Sequence, residues 1–467
     1  MTPTEARLRT RGSDILKQLA LALKSSLAST SAFLRARRAL GGPIAALGLR
    51  GSGALLNIAV FTLAARCMAP EEFGRLAMSF SALSILAVAA TLGQDTFIAR
   101  AWSEHCRRDD QPTAIAAYAK GWETALLGAG AGALLVAFVG GPAFGLSVET
   151  ARAGAAFLFM QTILAYSSSS SRVIAGFLIS ERHREATWRV LLIAAVAAAS
   201  ACGGGLTAAS FFWFAALGMS VACLLQIATT RRFLPQTEAA RRNPRKLREW
   251  RGQAAAMWLS AAIEAISQHA DVMLIGFLAS PVVAGDFFVA GRIAGVFLML
   301  VSGLGAYAAT HGPNLYFSGR RLELQNMLRG IATVTLALAA PALAAILLLG
   351  RAILSIFGER FVEIYPTLAV LSCATFTVAI CGVAPGVLLL TGLEKSYSRI
   401  AVAAAAGRIV LSGALATVLG SIGAALGWAF VAAPVAIVLV LFCRKMRGVD
   451  PSAFSLLSRP MAAESEH

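Results

Sequence analysis

Between residues 44 and 443 the chain is a succession of apolar runs separated by short polar knots. Many of these runs reach the roughly twenty residues that a helix needs to cross a hydrocarbon core. Inside lipid a backbone must satisfy its own hydrogen bonds, so only helices and closed barrels span it. Barrel strands are short and alternate polar with apolar residues, whereas these runs are long and continuously apolar. The expected fold class is therefore all-α and integral to a membrane. Twelve spans fall near 44–66, 74–97, 115–139, 151–178, 187–206, 208–230, 252–278, 283–309, 326–349, 362–390, 397–418 and 421–443. Composition agrees: 14% of the residues are charged, against about 25% in an average soluble domain.

The net charge of +17 raises the question of a nucleic-acid partner. Its placement answers against one. With the N-terminus in the cytoplasm, the inside segments collect Arg35, Arg37, Arg38, Arg107, Arg108, Arg182, Arg184, Arg189, Arg320, Arg321 and Arg444. The basic stretch 231–251 falls on the same side, while outside loops keep only Arg351 and Arg360, with Arg66, Arg75 and Arg152 at span ends. This is the asymmetry of the positive-inside rule, and it puts the charge beside anionic lipid headgroups. An even number of spans leaves both termini inside, in a multi-pass membrane protein. Residues 1–43 are polar and Arg-rich, with no pattern of a cleavable leader. Two readings of that arm stay open: a helix over about Ile15 to Leu34 lying on the membrane surface, or a basic tail. The scattered cysteines match neither a disulfide framework nor a metal site and read as small packing residues.

Two of the polar knots are alike. Ala69-Pro70-x-x-Phe73-Gly74 aligns with Ser280-Pro281-x-x-Ala284-Gly285, and each follows an odd-numbered span and opens the next. A weaker echo joins "GFLISERHRE" (Gly176 to Glu185) to "LLLTGLEKSY" (Leu388 to Tyr397). The chain thus divides into a basic arm (1–43), a six-helix half (44–230), a basic cytoplasmic linker (231–251), a second six-helix half (252–443) and a tail (444–467). Six is even, so the halves enter the membrane in the same orientation, as a parallel repeat. Each knot alone reads as a turn in which Pro stops one helix and Gly permits close approach at the next. Glu71 and Glu72 lie where a helix N-terminus favours negative charge. Two bundles around a cleft suit alternating access.

On these residues a family resemblance rests. "LAARCMAPEEFGRLAMSFSALSILAVAATLGQDTFIAR" resembles the opening of the polysaccharide transporter family, the Wzx-type O-antigen and exopolysaccharide flippases. "DVMLIGFLASPVVAGDFFVAGRIAG" resembles the start of that family's second half, and "LLLTGLEKSY" is similar to its later turn. The resemblance covers about residues 44–443 and rests on small residues at turns, so it specifies the fold better than the cargo. It implies two bundles with a cavity lined by helices 1, 2, 7 and 8. It also implies flipping of a polyprenyl-pyrophosphate-linked glycan, with a polysaccharide polymerase and chain-length machinery as partners.

Ionisable groups inside spans are costly and mark cavities or ion pairs. Glu264, Gln268 and Asp271 share one face of span seven by their spacing. They read as a cavity wall suited to H+ or Na+ coupling, or as a structural ion pair. Relatives by resemblance often carry Arg or Lys after the matching Asp, and here that position is Val272. Arg292, deep in span eight near Gly291 and Gly295, suits a pyrophosphate or neutralisation of Asp271 or Asp286. Arg50 and Asn57 share a face of span one, where Arg50 meets the pyrophosphate or snorkels to headgroups. Arg172 and Arg408 carry the same two readings, and Glu123 is expected to pair with one of them. Gln94, Asp95 and His311 are weaker candidates, and Ser167 to Ser171 read as a packing strip. No cofactor, metal site or P-loop is indicated. The rivals to a flippase are a cation-coupled drug or metabolite exporter and a lipid II flippase, for which two further spans are expected. A membrane polymerase or glycosyltransferase is the rival from another class, and it would need acid–base groups in a large outside loop.

Overall fold

The computed structural model describes residues 48, 51–144, 147–201, 205–236, 244–390 and 393–456. The basic arm, Arg50, the middle of the linker and the end of the tail lie outside them, as does the side chain of His311. Residues from Gly53 onward form one compact unit, to which all contacts below belong. Its described residues form helices throughout. In chain order the first half comprises α1 (Gly51–Cys67), α2 (Pro70–Ala90), α3 (Gln94–Arg107), α4 (Gln111–Phe144), α5 (Val148–Ile174), the short α6 (Phe177–Glu181), α7 (Trp188–Ala201) and α8 (Ala208–Thr230). The second half comprises α9 (Pro244–Leu278), α10 (Pro281–Ala294), α11 (Val296–Phe317), α12 (Arg321–Ser355), α13 (Tyr365–Ile380), the short α14 (Ala384–Leu390) and α15 (Glu394–Arg447). Within α15 the helical dihedrals break at Gly420 (φ 62°, ψ −142°), between the last two expected spans.

Seven of the described helices are long and apolar enough to cross a membrane, or eight when the bent pair α10–α11 counts as one span. The protein is an all-helical, multi-pass membrane protein. Its outer surface says the same: Leu348, Phe138 and Val418 are 83%, 77% and 78% exposed, which only a lipid environment makes inexpensive. Elements shorter than a span, α1 and α7, contribute to the difference from twelve expected spans, as does α15, which runs through the last two expected spans as one element. Span two counts as one and carries an elbow at Leu92 and Gly93, both with positive φ, between α2 and α3. Span eight bends by 46° at Gly295, between α10 and α11.

The two knots are partners. Pro70 and Pro281 each open a helix at its first turn, where a missing amide costs nothing. Ser280 caps α10 by accepting from the Val283 amide at 3.2 Å. Glu71 pairs with Arg75 at 2.7 Å, and Glu72 accepts from the Ala208 amide at the start of α8 at 2.9 Å. The openings of α2 and α10 then pack backbone to backbone. A Cβ at Gly74 would run into the Pro281 carbonyl, and one at Gly285 would meet the Gly74 Cα at 3.2 Å. Phe73 adds edge contacts to Phe288 and Phe361, with ring centroids 6.4 and 6.0 Å apart. Nearby, Arg66 at the end of α1 donates to the Ile356 and Ser355 carbonyls after α12, at 2.6 and 3.3 Å. These contacts join the halves at the knot end of the molecule.

A second set joins α3 to α9 toward the linker end. A side chain on Gly93 would collide with the Ala254 carbonyl. The Trp258 indole donates to the Ala89 carbonyl at 2.7 Å, alongside the Leu92 amide. Trp250 packs on Phe97 with ring centroids 6.0 Å apart, and Lys246 lies 3.7 Å from Asp110. Hydrogen bonding by Thr113, side chain then backbone, together with Lys246 and His105, holds the Asp110 carboxyl below its ordinary value against a smaller effect of burial. A lowered carboxylate stabilises the fold above its unfolded pKa and loses that contribution as pH falls through the lowered value.

Gly74→Val is expected to destabilise the protein by about 1–3 kcal/mol, because the added atoms meet backbone that has no rotamer to yield. Gly130→Ala, where a Cβ meets nothing within 4 Å, serves as the control. Thermal unfolding of both in detergent tests the contact, and equal melting temperatures would refute it.

Candidate transport cavity

The long α9 has two opposed faces. Leu259, Ile263, Ile266 and Phe277 are exposed and apolar along one of them, which is a lipid face. Glu264 and Gln268 are exposed on the other and bonded to each other, with Gln268 Nε2 donating to Glu264 Oε1 at 2.7 Å. A carboxylate in the middle of a span is tolerated where water reaches it, so this second face is the candidate wall of a cleft. One turn on, Asp271 on the same stripe is buried and ion-paired with Arg408 of α15, with Nε and Oδ2 3.1 Å apart. Arg408 also donates to the Ser267 carbonyl. Asp271 Oδ1 is buried with no hydrogen-bond partner among the described residues.

Arg292 lies in the last turn of α10, just before the bend. Its guanidinium rests against a cluster of three phenyl rings, 4.5 Å from the centroid of Phe288, 5.3 Å from Phe61 and 5.5 Å from Phe80. These rings come from α10, α1 and α2, so both halves build the cage. Cation–π contact is worth about 0.5–2 kcal/mol, more as water is excluded. Among the described residues Arg292 has no carboxylate partner and no acceptor for its N–H groups. A Cβ at Gly291 beside it would meet nothing within 4 Å, so open space adjoins the cage.

Above the same region, α1 presents Gly53, Asn57 and Phe61 on one face by helical spacing. Gly53 lies against the Glu185 side chain, and Glu185 is ion-paired with Arg189 of α7 at 2.9 Å. Half-buried Asn57 therefore falls between that pair and the Arg292 cage. Half-buried His269 lies on α9 two residues before Asp271.

The remaining candidates take other places. Glu123 pairs with Lys120 on its own helix at 3.0 Å, and not with Arg172 or Arg408 as expected, because an opposite charge stands three residues away. Arg172 bonds Glu181 at 2.5 Å across the turn between α5 and α6. Arg292 neutralises neither expected carboxylate: Arg408 takes Asp271, and Arg360 takes Asp286 at 2.5 Å. Asp95 accepts from Thr91 at 3.1 Å, and Gln94 is buried. The serine strip packs: Ser168 donates to Gln226 at 3.2 Å and Ser180 to the Ser168 carbonyl at 2.6 Å. Sequence reading missed Arg189, counted only as an inside cation, though Glu185 one turn before it was a visible signal. It also missed His269 and the three phenyl rings, whose residue types carry no mark of a cage.

The sequence matches the family model described as polysaccharide biosynthesis protein over residues 42–309. The chain belongs to that family. Its fold is that of the MOP superfamily transporters. An inward-facing multidrug resistance MATE family transporter overlaps with a TM-score of 0.71 at 15% identity, covering 86% of this chain and 97% of that one. An outward-facing MATE transporter of the superfamily overlaps at 0.61, with 16% identity and coverage of 86% and 94%. The lipid II flippase MurJ, in an inward closed conformation, overlaps at 0.66 with 12% identity and coverage of 85% and 87%. No curated protein sequence matches significantly.

Breaking one side of the Asp271–Arg408 pair strands the other charge. Asp271→Asn and Arg408→Gln are each expected to cost about 3–5 kcal/mol, and the double variant less than their sum. Unfolding of the four forms in detergent measures the coupling, and strict additivity would show that the two side chains do not depend on each other.

Proposed function

We propose that the protein is a flippase that carries a polyprenyl-pyrophosphate-linked oligosaccharide across the bacterial inner membrane for cell-surface polysaccharide synthesis. The observation that carries this reading is Arg292: a cation deep between the halves, held by phenyl rings and left without a counter-charge among the described residues. A pyrophosphate supplies the missing anion, and guanidinium meets phosphate oxygens through two parallel donors. Transport without catalysis follows from the same reading. The substrate would be handed on to a polymerase and chain-length machinery outside.

The positive-inside pattern puts the knots outside and both termini, with the 231–251 linker, in the cytoplasm. In that orientation the structure is closed outward, at Gly74, Pro281 and Arg66. The greater overlap with an inward-facing relative than with an outward-facing one supports the same state. The twelve-span count and the two six-helix halves, 44–230 and 252–443, belong to this proposal. The glycan and its pyrophosphate enter the cleft from the cytoplasm while the lipid tail stays in the bilayer, and the halves rock to open outward. Resetting falls to the α9 carboxylates. Glu264 is exposed to the cavity and Asp271 Oδ1 is buried without a partner among the described residues, so H+ or Na+ binding at either changes a charge beside Arg408 or the cleft. Glu264 on the cavity face also fits the rival reading, a cation-coupled exporter of drugs or metabolites.

Deletion of the gene followed by complementation separates the two. Polyprenyl-linked glycan should accumulate in the inner leaflet of the deletant. Wild type should clear it, Arg292→Gln should fail at equal expression, and Arg292→Lys should restore part of the flux by keeping the charge without the planar fork. Unchanged lipid-linked glycan with altered drug sensitivity would replace the flippase with the exporter.

A further inference from the structure

A separate cavity of about 730 Å³ opens between α3 and α9, between the elbow at Gly93 and the Lys246 contact. Thr96 and Arg100, one turn apart on α3, line one wall. Gln253, Met257 and Ser260 line the other, on the α9 stripe that continues to Glu264 and Gln268. Its walls are therefore supplied by both halves of the chain. Among the described residues Thr96, Arg100 and Gln253 have no side-chain hydrogen bond or ion pair, although Glu104 and Asp110 on the same segment are both engaged, by Arg108 at 3.0 Å and by Lys246 at 3.7 Å. A guanidinium, an amide and a hydroxyl thus converge on one space with their donors unspent, beside the apolar surface of Met257 and its alanine neighbours.

We infer that this groove binds the phosphate of an amphiphile, with Arg100 and Gln253 on the phosphate and Met257 against the adjoining alkyl chain. Arg100 is the one charged residue among the lining side chains. Glu264, one turn past Ser260, repels a phosphate and bounds the groove on its inner side. The ligand class needs both an anion and an apolar tail. A membrane phospholipid and a polyprenyl pyrophosphate both meet that description. If the flippase reading above holds, the groove is a loading site that the substrate's pyrophosphate occupies before Arg292.

The test is binding of farnesyl pyrophosphate, dioleoylphosphatidylglycerol and inorganic pyrophosphate to the purified full-length protein in detergent. Arg100 is exposed and unpaired, so Arg100→Gln should fold, and its unchanged melting temperature is checked first. Arg100→Gln is expected to weaken the amphiphilic phosphates by about tenfold or more, the loss of a charged hydrogen bond, and Gln253→Ala by a few fold. Inorganic pyrophosphate should bind more weakly than farnesyl pyrophosphate, since it lacks the tail. Phosphatidylglycerol binding that depends on Arg100, with no farnesyl pyrophosphate binding, keeps the groove and counts against the flippase. Farnesyl pyrophosphate binding that falls with Arg292→Gln but ignores Arg100→Gln keeps the flippase and removes the groove. Affinity for every probe unchanged by Arg100→Gln and Gln253→Ala also overturns it.

Discussion

The rest of the molecule depends on the contact of two helix openings, Pro70–Gly74 on Pro281–Gly285. Two helix backbones approach this closely only where one of them carries no Cβ, and Gly74 and Gly285 both lack it. The approach brings Phe73 onto Phe288, and below it Phe61 and Phe80 onto the same ring. That aromatic layer is what holds Arg292. The cage therefore exists because the knot end is closed. The contact is made of dispersion and of backbone surface, with no ion pair across it among the described residues, and the Arg66 bonds at its edge are exposed.

What was legible in the sequence follows from period and length. Apolar runs and cation placement marked the spans, and the repeated Pro and Gly marked the knots, because helix ends and turns are local events. Local reading also placed Asp271 on one stripe with Glu264 and Gln268. It gave no means of seeing that Glu264 stays exposed while Asp271 is buried against Arg408, a residue far along the chain. Glu123 was assigned a distant partner when Lys120 stood three residues away. The elbow at Leu92 and Gly93 was read through as one span, because its apolar residues continue across a break that only dihedrals reveal. The groove at Arg100 was invisible for a related reason: its two walls come from different halves.

The arginines of the described spans show how such a chain tolerates cations in lipid. Arg66 spends its donors on carbonyls left open at a helix end. Arg172, Arg360 and Arg408 each meet a carboxylate. Each arrangement removes the charge or its donors from use. Arg292 is handled differently, and the difference has a geometric consequence. The three rings pack on one another and meet the cation from one side, and among the described residues no acceptor takes its N–H groups. A carboxylate in the same place would have neutralised the charge and accepted from those groups. The ring cluster thus holds a partly buried guanidinium that has no counter-charge among the described residues. Under the proposed flippase reading, a group that offers Arg292 a pair of anionic oxygens would leave as the halves part, because rings from both halves hold the cation.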